Sequence, residues 1–166
     1  MAAYQNWGAT LANLRQFPDA AEKFAEARRI GPESYRLLGN TARALYWSGR
    51  RPEAAALYPR AIEMVSQALR VNPSDIDARV SLAAYYAKSG DRAGALTQLN
   101  ALPSTLDDPH VLVFGAVVYV DLADHTKALD WLEQAATRGL AASELQDWIE
   151  LDALKTNPRF AALRTR

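Results

Sequence analysis

The sequence predicts an all-α chain: four helical hairpins in series, closed by a short helical cap. The first of three observations behind this is a recurrence. Gly8, Leu11, Ala20, Phe24 and Ala27 are followed by Ala42, Leu45, Ala54, Tyr58 and Ala61, then by Ala83, Tyr86, Ala95, Leu99 and Leu102, then by Ala116, Tyr119, Ala128, Leu132 and Ala135. The steps are 34, 41 and 33 residues. A period in this range is the signature of stacked helical hairpins, each of which buries its apolar face on its neighbours. The second is that turn residues interrupt every set at the same place, between its second and third members. The third is the alternation of small and large residues: small ones such as Gly8 and Ala20 let two helix backbones approach, while Trp7, Leu11 and Phe24 fill the space beside them.

The first hairpin is expected over residues 1–34, turning at Gln16-Phe17-Pro18-Asp19. The second, 35–75, turns at Ser48-Gly49-Arg50-Arg51-Pro52, and both Pro18 and Pro52 suit the first turn of a helix, where a missing N–H costs nothing. After Ala61 this unit runs on through Met64, Val65, Ala68 and Leu69 to Asn72-Pro73, seven residues beyond the norm. Two added turns keep the inner face in phase and lengthen the helix by about 10 Å. Pro59 lies inside that expected helix and should kink it. The third hairpin, 76–108, has Ser74 as its expected N-cap with Asp77 three residues on, turns at Ser89-Gly90-Asp91 with Asp91 as the next cap, and stops at Pro103 before a loop through Ser104 to Asp108. The fourth, 109–141, starts at the cap Asp108 and turns at Ala123-Asp124-His125. Residues 142–166 leave the repeat, and Trp148, Leu151, Leu154, Phe160 and Leu163, broken by Asn157-Pro158, read as short helices closing the last groove. One domain over 1–166 is expected.

Composition narrows the function classes. Of the 166 residues 49% are apolar and 23% charged, so disorder is not indicated. Lys and Arg number 19, as do Asp and Glu, so no overall field draws in nucleic acid or an anionic membrane. Residues 1–60 hold 9 basic and 5 acidic side chains against 10 and 14 in the rest, which gives the two parts +4 and −4. With no cysteine, disulfides, thiolate metal sites and a Cys nucleophile are excluded. No apolar run approaches the roughly 20 residues that span a bilayer, and no signal core follows Met1. A cytoplasmic location is expected, or a periplasmic one if the parent is a membrane-anchored receptor.

The pattern resembles the tetratricopeptide repeat over roughly residues 1–141. Tyr4, Gly8, Leu11, Ala20, Phe24, Ala27 and Pro32 stand at that family's spacing, with Trp7 in place of its usual Leu, and the later units hold the same register more weakly. The resemblance implies a right-handed α-α superhelix that serves as a protein-interaction scaffold, its concave groove lined by the first helix of each hairpin. The segment from Asp152-Ala153-Leu154 to Asn157-Pro158-Arg159-Phe160 is similar to the ending of such arrays in multidomain bacterial proteins, Ser/Thr kinases and transcriptional regulators among them. It implies the repeat region of a bacterial signalling protein. Met1 falls almost at the start of a hairpin with no N-cap before it, so either excision from a longer chain or packing of this first hairpin on another copy is expected.

Catalytic signals are sparse. His125 follows Asp121 and Asp124, but the three straddle a helix end and its turn, where solvated polar residues are ordinary. There is no Gly-rich phosphate loop, Gly-x-Ser-x-Gly turn or His-Glu-x-x-His helix, and neither enzyme activity, metal nor cofactor is expected. Recognition is expected in the groove instead. Arg36, Arg43 and Arg50 recur every seven residues, with Gly39, Asn40, Tyr46 and Trp47 among them. Guanidinium groups beside aromatic rings suit a protein or peptide bearing acidic groups, because Arg pairs bidentately with carboxylate. Arg36, Asn40, Arg43, Tyr46 and Trp47 are the candidate contacts; in the competing reading Trp47 packs under the turn and the arginines are solvated. The fourth hairpin offers His110, Val113, Val117, Val120 and Asp121, an apolar face that would receive an apolar side chain or pack on the terminal segment. Gln5 and Ala9 stand where some family members carry the Lys and Asn that clamp a chaperone's C-terminal carboxylate, which argues against that ligand. The alternative function is self-assembly through the uncapped first hairpin.

Overall fold

A computed structural model describes residues 1–165, and these form helices with no strand among them. They fall into two compact units, Met1–Pro73 and a second from Ser74 on.

In the first unit, α1 (Ala2–Asn13) and α2 (Phe17–Ile30) form one hairpin, and α3 (Tyr35–Trp47) returns against α2. Two further helices, α4 (Arg51–Ala55) and α5 (Tyr58–Val71), both pack on α3. Pro18 and Pro52 each sit in the first turn of their helix, as their missing N–H allows. Pro59 does not kink a continuous helix. The chain breaks at Ala56–Leu57 and restarts, so Pro59 lies in the first turn of α5. Its ring and absent donor conflict with a carbonyl four residues back, and ending α4 at Ala55 removes that conflict. The repeat's small residues are fully packed, with Ala20, Ala27, Ala42 and Ala61 all at 0% exposure. Gly8 is needed for the same contact: a Cβ there would stand 2.8 Å from the ring of buried Phe24.

The second unit contains α6 (Ile76–Lys88), α7 (Arg92–Asn100), α8 (Pro109–Asp121) and α9 (His125–Thr137). Helix α8 packs against both α6 and α9. The cap of α6 is Asp75 rather than Ser74: its carboxylate accepts from the Ala78 N–H at 2.8 Å. A carboxylate one residue further on reaches the same orphan donors and adds a negative charge at the positive end of the helix. Asp91, Asp108 and Asp124 cap α7, α8 and α9 in the same way. Helix α7 is short, ending at Asn100, and Leu106 in the loop that follows is buried. Residues 142–154 form two 3₁₀ turns, Ala142–Asp147 and Ile149–Leu154, and α10 (Pro158–Leu163) ends the described chain. The second 3₁₀ turn lies on α8 and α10 lies on α9, where Arg159 bonds Glu133 at 2.8 Å and Asp130 at 2.7 Å.

One backbone bond closes all four hairpin turns. Gln16, Arg50, Asp91 and Asp124 each donate an N–H to the carbonyl five residues back, on Leu11, Leu45, Tyr86 and Tyr119, at 2.9 Å every time. This is the helix-ending pattern whose preceding residue must enter the left-handed region. Gly49 and Gly90 do so at φ +87° and +82°, whereas Arg15 and Ala123 are forced there at +58° and +57°.

Candidate functional site

Because an α-helix repeats its faces every three to four residues, positions i, i+4, i+7 and i+11 form one strip. On α3 that strip is Arg36, Asn40, Arg43 and Trp47, four of the five candidate contacts. Arg36 and Asn40 are exposed and Arg43 half-buried. The Arg36 Nε donates to the Tyr35 hydroxyl at 3.1 Å, and the Arg43 guanidinium lies 5.9 Å from the Phe17 ring centre. Asn40 and Arg43 share a recess of ≈ 80 Å³ with Ala9, Ala12, Asn13 and Phe24. Its other wall is therefore α1, which carries small or amide side chains there and leaves α3 open.

Tyr46 and Trp47 point to different neighbours. Trp47 is half-buried against Phe17, ring centres 6.2 Å apart, and meets Tyr46 edge to face at 5.2 Å. Tyr46 in turn lies 5.1 Å below the Arg51 guanidinium. The recess thus brings Asn40 and Arg43 together, Arg36 lies one helical turn beyond them, and the two aromatic residues meet edge to face at the turn end of α3. Arg50, the third arginine of the series, pairs with Glu53 through bonds of 2.7 and 2.6 Å at the start of α4. That pairing raises the pKa of Arg50 and lowers that of Glu53.

In the second unit the equivalent strips are Asp77, Ser81, Ala84 and Lys88 on α6, and His110, Phe114, Val117 and Asp121 on α8. Val113 and Val117 are buried on a helix that packs against α6, α9 and the second 3₁₀ turn. Lys88 Nζ meets Asp121 Oδ1 at 2.6 Å, with only 19% and 14% of the side chains exposed. Asp121 Oδ2 is buried without a hydrogen-bond partner. Burial raises the Asp121 pKa, against the pull of the Lys88 charge, and the Glu150 carboxylate adds to the rise. Asp124 is occupied as the α9 cap, and His125 opens that helix, so Asp121 turns to Lys88 while its two sequence neighbours serve the turn. Among the described residues, no group of three His, Asp or Glu is arranged to hold a metal ion, and no helix is long and apolar enough to cross a membrane.

Sequence reasoning missed two features here. Lys88 and Asp121 are 33 residues apart, and only the repeat step itself signals that they meet. Phe114 follows His110 by four residues on one face, a spacing available in the sequence but hidden by the valines around it.

Each of the four hairpins thus has its small residue and its turn bond at the same place in a step of 33 to 41 residues. In fold the chain resembles the tetratricopeptide repeat. No protein-family model and no curated protein matches the sequence. Among solved structures the chain is similar to YrrB, described as a TPR protein with an unusual peptide-binding site, at 23% identity and a TM-score of 0.46, over 92% of this chain and 73% of that one.

Proposed function

We propose that this repeat array is a protein-interaction module, and that its first unit holds an extended peptide bearing acidic groups along α3. The observation that carries this reading is the recess between α1 and α3. It sets the amide of Asn40 beside the guanidinium of Arg43, over a floor of small side chains and the Phe24 ring. An amide there can pair with a peptide backbone, and Arg43 and Arg36 supply planar donors suited to carboxylates. Tyr46 and Trp47 would bound the peptide at the turn end. The parent we infer is a bacterial regulatory or signalling protein, on the strength of the 152–160 segment alone, and we place it in the cytoplasm.

The test is an array of extended peptides varied in acidic content, read with the wild-type chain and with Arg36→Ala/Arg43→Ala. Preferential capture of acidic peptides, weakened at least about tenfold in the double variant, is expected, since two charge-assisted contacts of this kind are worth roughly 1.5–3 kcal/mol each. Equal capture by both chains, with circular dichroism showing both folded, would remove the arginines from the site.

A second reading, self-assembly, rests on a different face. Trp7, on α1, is 53% exposed with Tyr4 stacked on it at 6.4 Å, and Leu14, at the C-cap of the same helix, is 65% exposed. Apolar side chains in line on one helix edge are what a second copy would cover.

A further inference from the structure

Helix α8 and the terminal segment run side by side in the second unit, joined by two rungs four residues apart on each strand. His110 Nε2 faces Glu144 Oε2 at 3.7 Å, and Phe114 meets Trp148 with ring centres 5.2 Å apart and planes at 90°. Phe114 remains 39% exposed and Trp148 half-buried, so the aromatic rung faces solvent. Two rings in a T enclose a corner with one π face on each wall. Each face carries the negative part of the ring quadrupole, and a cation placed in the corner is attracted by both.

Carboxylates flank the two rings along the chain. Glu144 stands one rung away and Asp147 immediately precedes the indole, while Asp107 and Asp108 precede α8. Residues 74–166 hold 9 basic and 13 acidic side chains, a net −4. Five of the unit's nine cations are engaged at other places: Lys88 with Asp121, Arg92 on the Leu122 carbonyl, Lys127 over the Tyr119 ring, Lys155 with Asp152 and Arg159 with the α9 carboxylates. An exposed aromatic corner in an acidic field is complementary to a cationic side chain on a flexible stem. Lysine fits, since its methylenes cover Phe114 while its ammonium reaches the ring faces and the Glu144 rung.

We propose that Phe114 and Trp148 form a binding site for a lysine side chain of a partner peptide. The site is separate from the arginine strip of the first unit and asks for the opposite charge. Trp148 packs against the buried core of this unit and the second 3₁₀ turn that follows it lies on α8, so the site exists only with the terminal segment folded onto α8.

The probes are an acetylated and amidated Gly-Gly-Lys-Gly-Gly peptide and its analogue with norleucine, which keeps the methylenes and drops the charge. Each is titrated into the full chain at millimolar concentration while the indole N–H resonances are followed, with that of Trp148 assigned through Trp148→Phe. The lysine peptide is expected to shift the Trp148 signal and to bind about 2- to 30-fold more tightly than the norleucine peptide. Phe114→Leu, which keeps an apolar side chain and removes the π face, is expected to reduce binding by a similar factor with an unchanged circular dichroism spectrum. Equal affinity for both peptides, a Trp148 resonance that never moves, or undiminished binding by Phe114→Leu would each overturn the proposal.

Discussion

Asp121 shows how one side chain can serve packing at an electrostatic cost. Its carboxylate reaches a lysine, yet burial outweighs that attraction and its pKa rises. A pKa raised in the folded state means that the ionised form is held less well there than in the unfolded chain, so stability falls as pH rises through the folded value. Asp121→Asn removes that ionisation at constant shape. It is expected to melt higher than wild type at pH 7, with the difference shrinking as pH falls through the raised value toward the ordinary 3.8, and thermal melts across that range check the sign. A wild type more stable than the variant at pH 7 would mean that the bond to Lys88 dominates. None of this is visible in the sequence, where Asp121 stands beside Asp124 and His125 and invites a metal reading. The partner that matters is one repeat step away.

Helices and turns were the most legible scale. All but one of the alanines that reach 0% exposure, Ala78 being the exception, are those picked out by spacing, because close helix contact tolerates only small residues and so writes itself into the sequence. Proline was read less well. Pro18 and Pro52 follow turn residues and announce a first helical turn, but Pro59 lies in an apolar run with no turn residue before it, and only the packed structure shows that α4 ends and α5 begins. Cap positions were legible to within one residue, as with Ser74 and Asp75. The turns also expose an unsolved strain. Ala123 adopts φ +57° at the position that glycine takes in the second and third hairpins. Ala123→Gly relieves a left-handed cost of roughly 1–2 kcal/mol while losing part of it to unfolded-chain entropy, for a net gain of up to about 1 kcal/mol. A melting temperature higher by about 2–8 °C is expected, and an unchanged one would show that the alanine rests there without strain.

At the scale of the whole molecule, neutrality conceals two oppositely charged units. Residues 1–73 hold 10 basic and 6 acidic side chains, a net +4, against −4 for the remainder. The ledger was readable from the sequence, in which the lengthened second hairpin ends at Asn72-Pro73. Self-assembly belongs to this scale. If the outer edge of α1 covers a second copy, sedimentation velocity should show a concentration-dependent dimer that is lost in Trp7→Ser, while α3 and its recess are untouched. A wild-type chain that stays monomeric at every concentration would retire that reading and leave the exposed indole to a different partner.

The repeated bond across the hairpin turns has a use of its own. Gln16, Arg50, Asp91 and Asp124 sit at the surface between helices, where amide hydrogens ordinarily exchange with solvent within moments. Each of theirs is held by a carbonyl of the helix just ended. Such a hydrogen is released when the helix end that holds it opens. The four amides are thus four clocks, one per turn, and their exchange rates would rank the turns by the ease with which each opens.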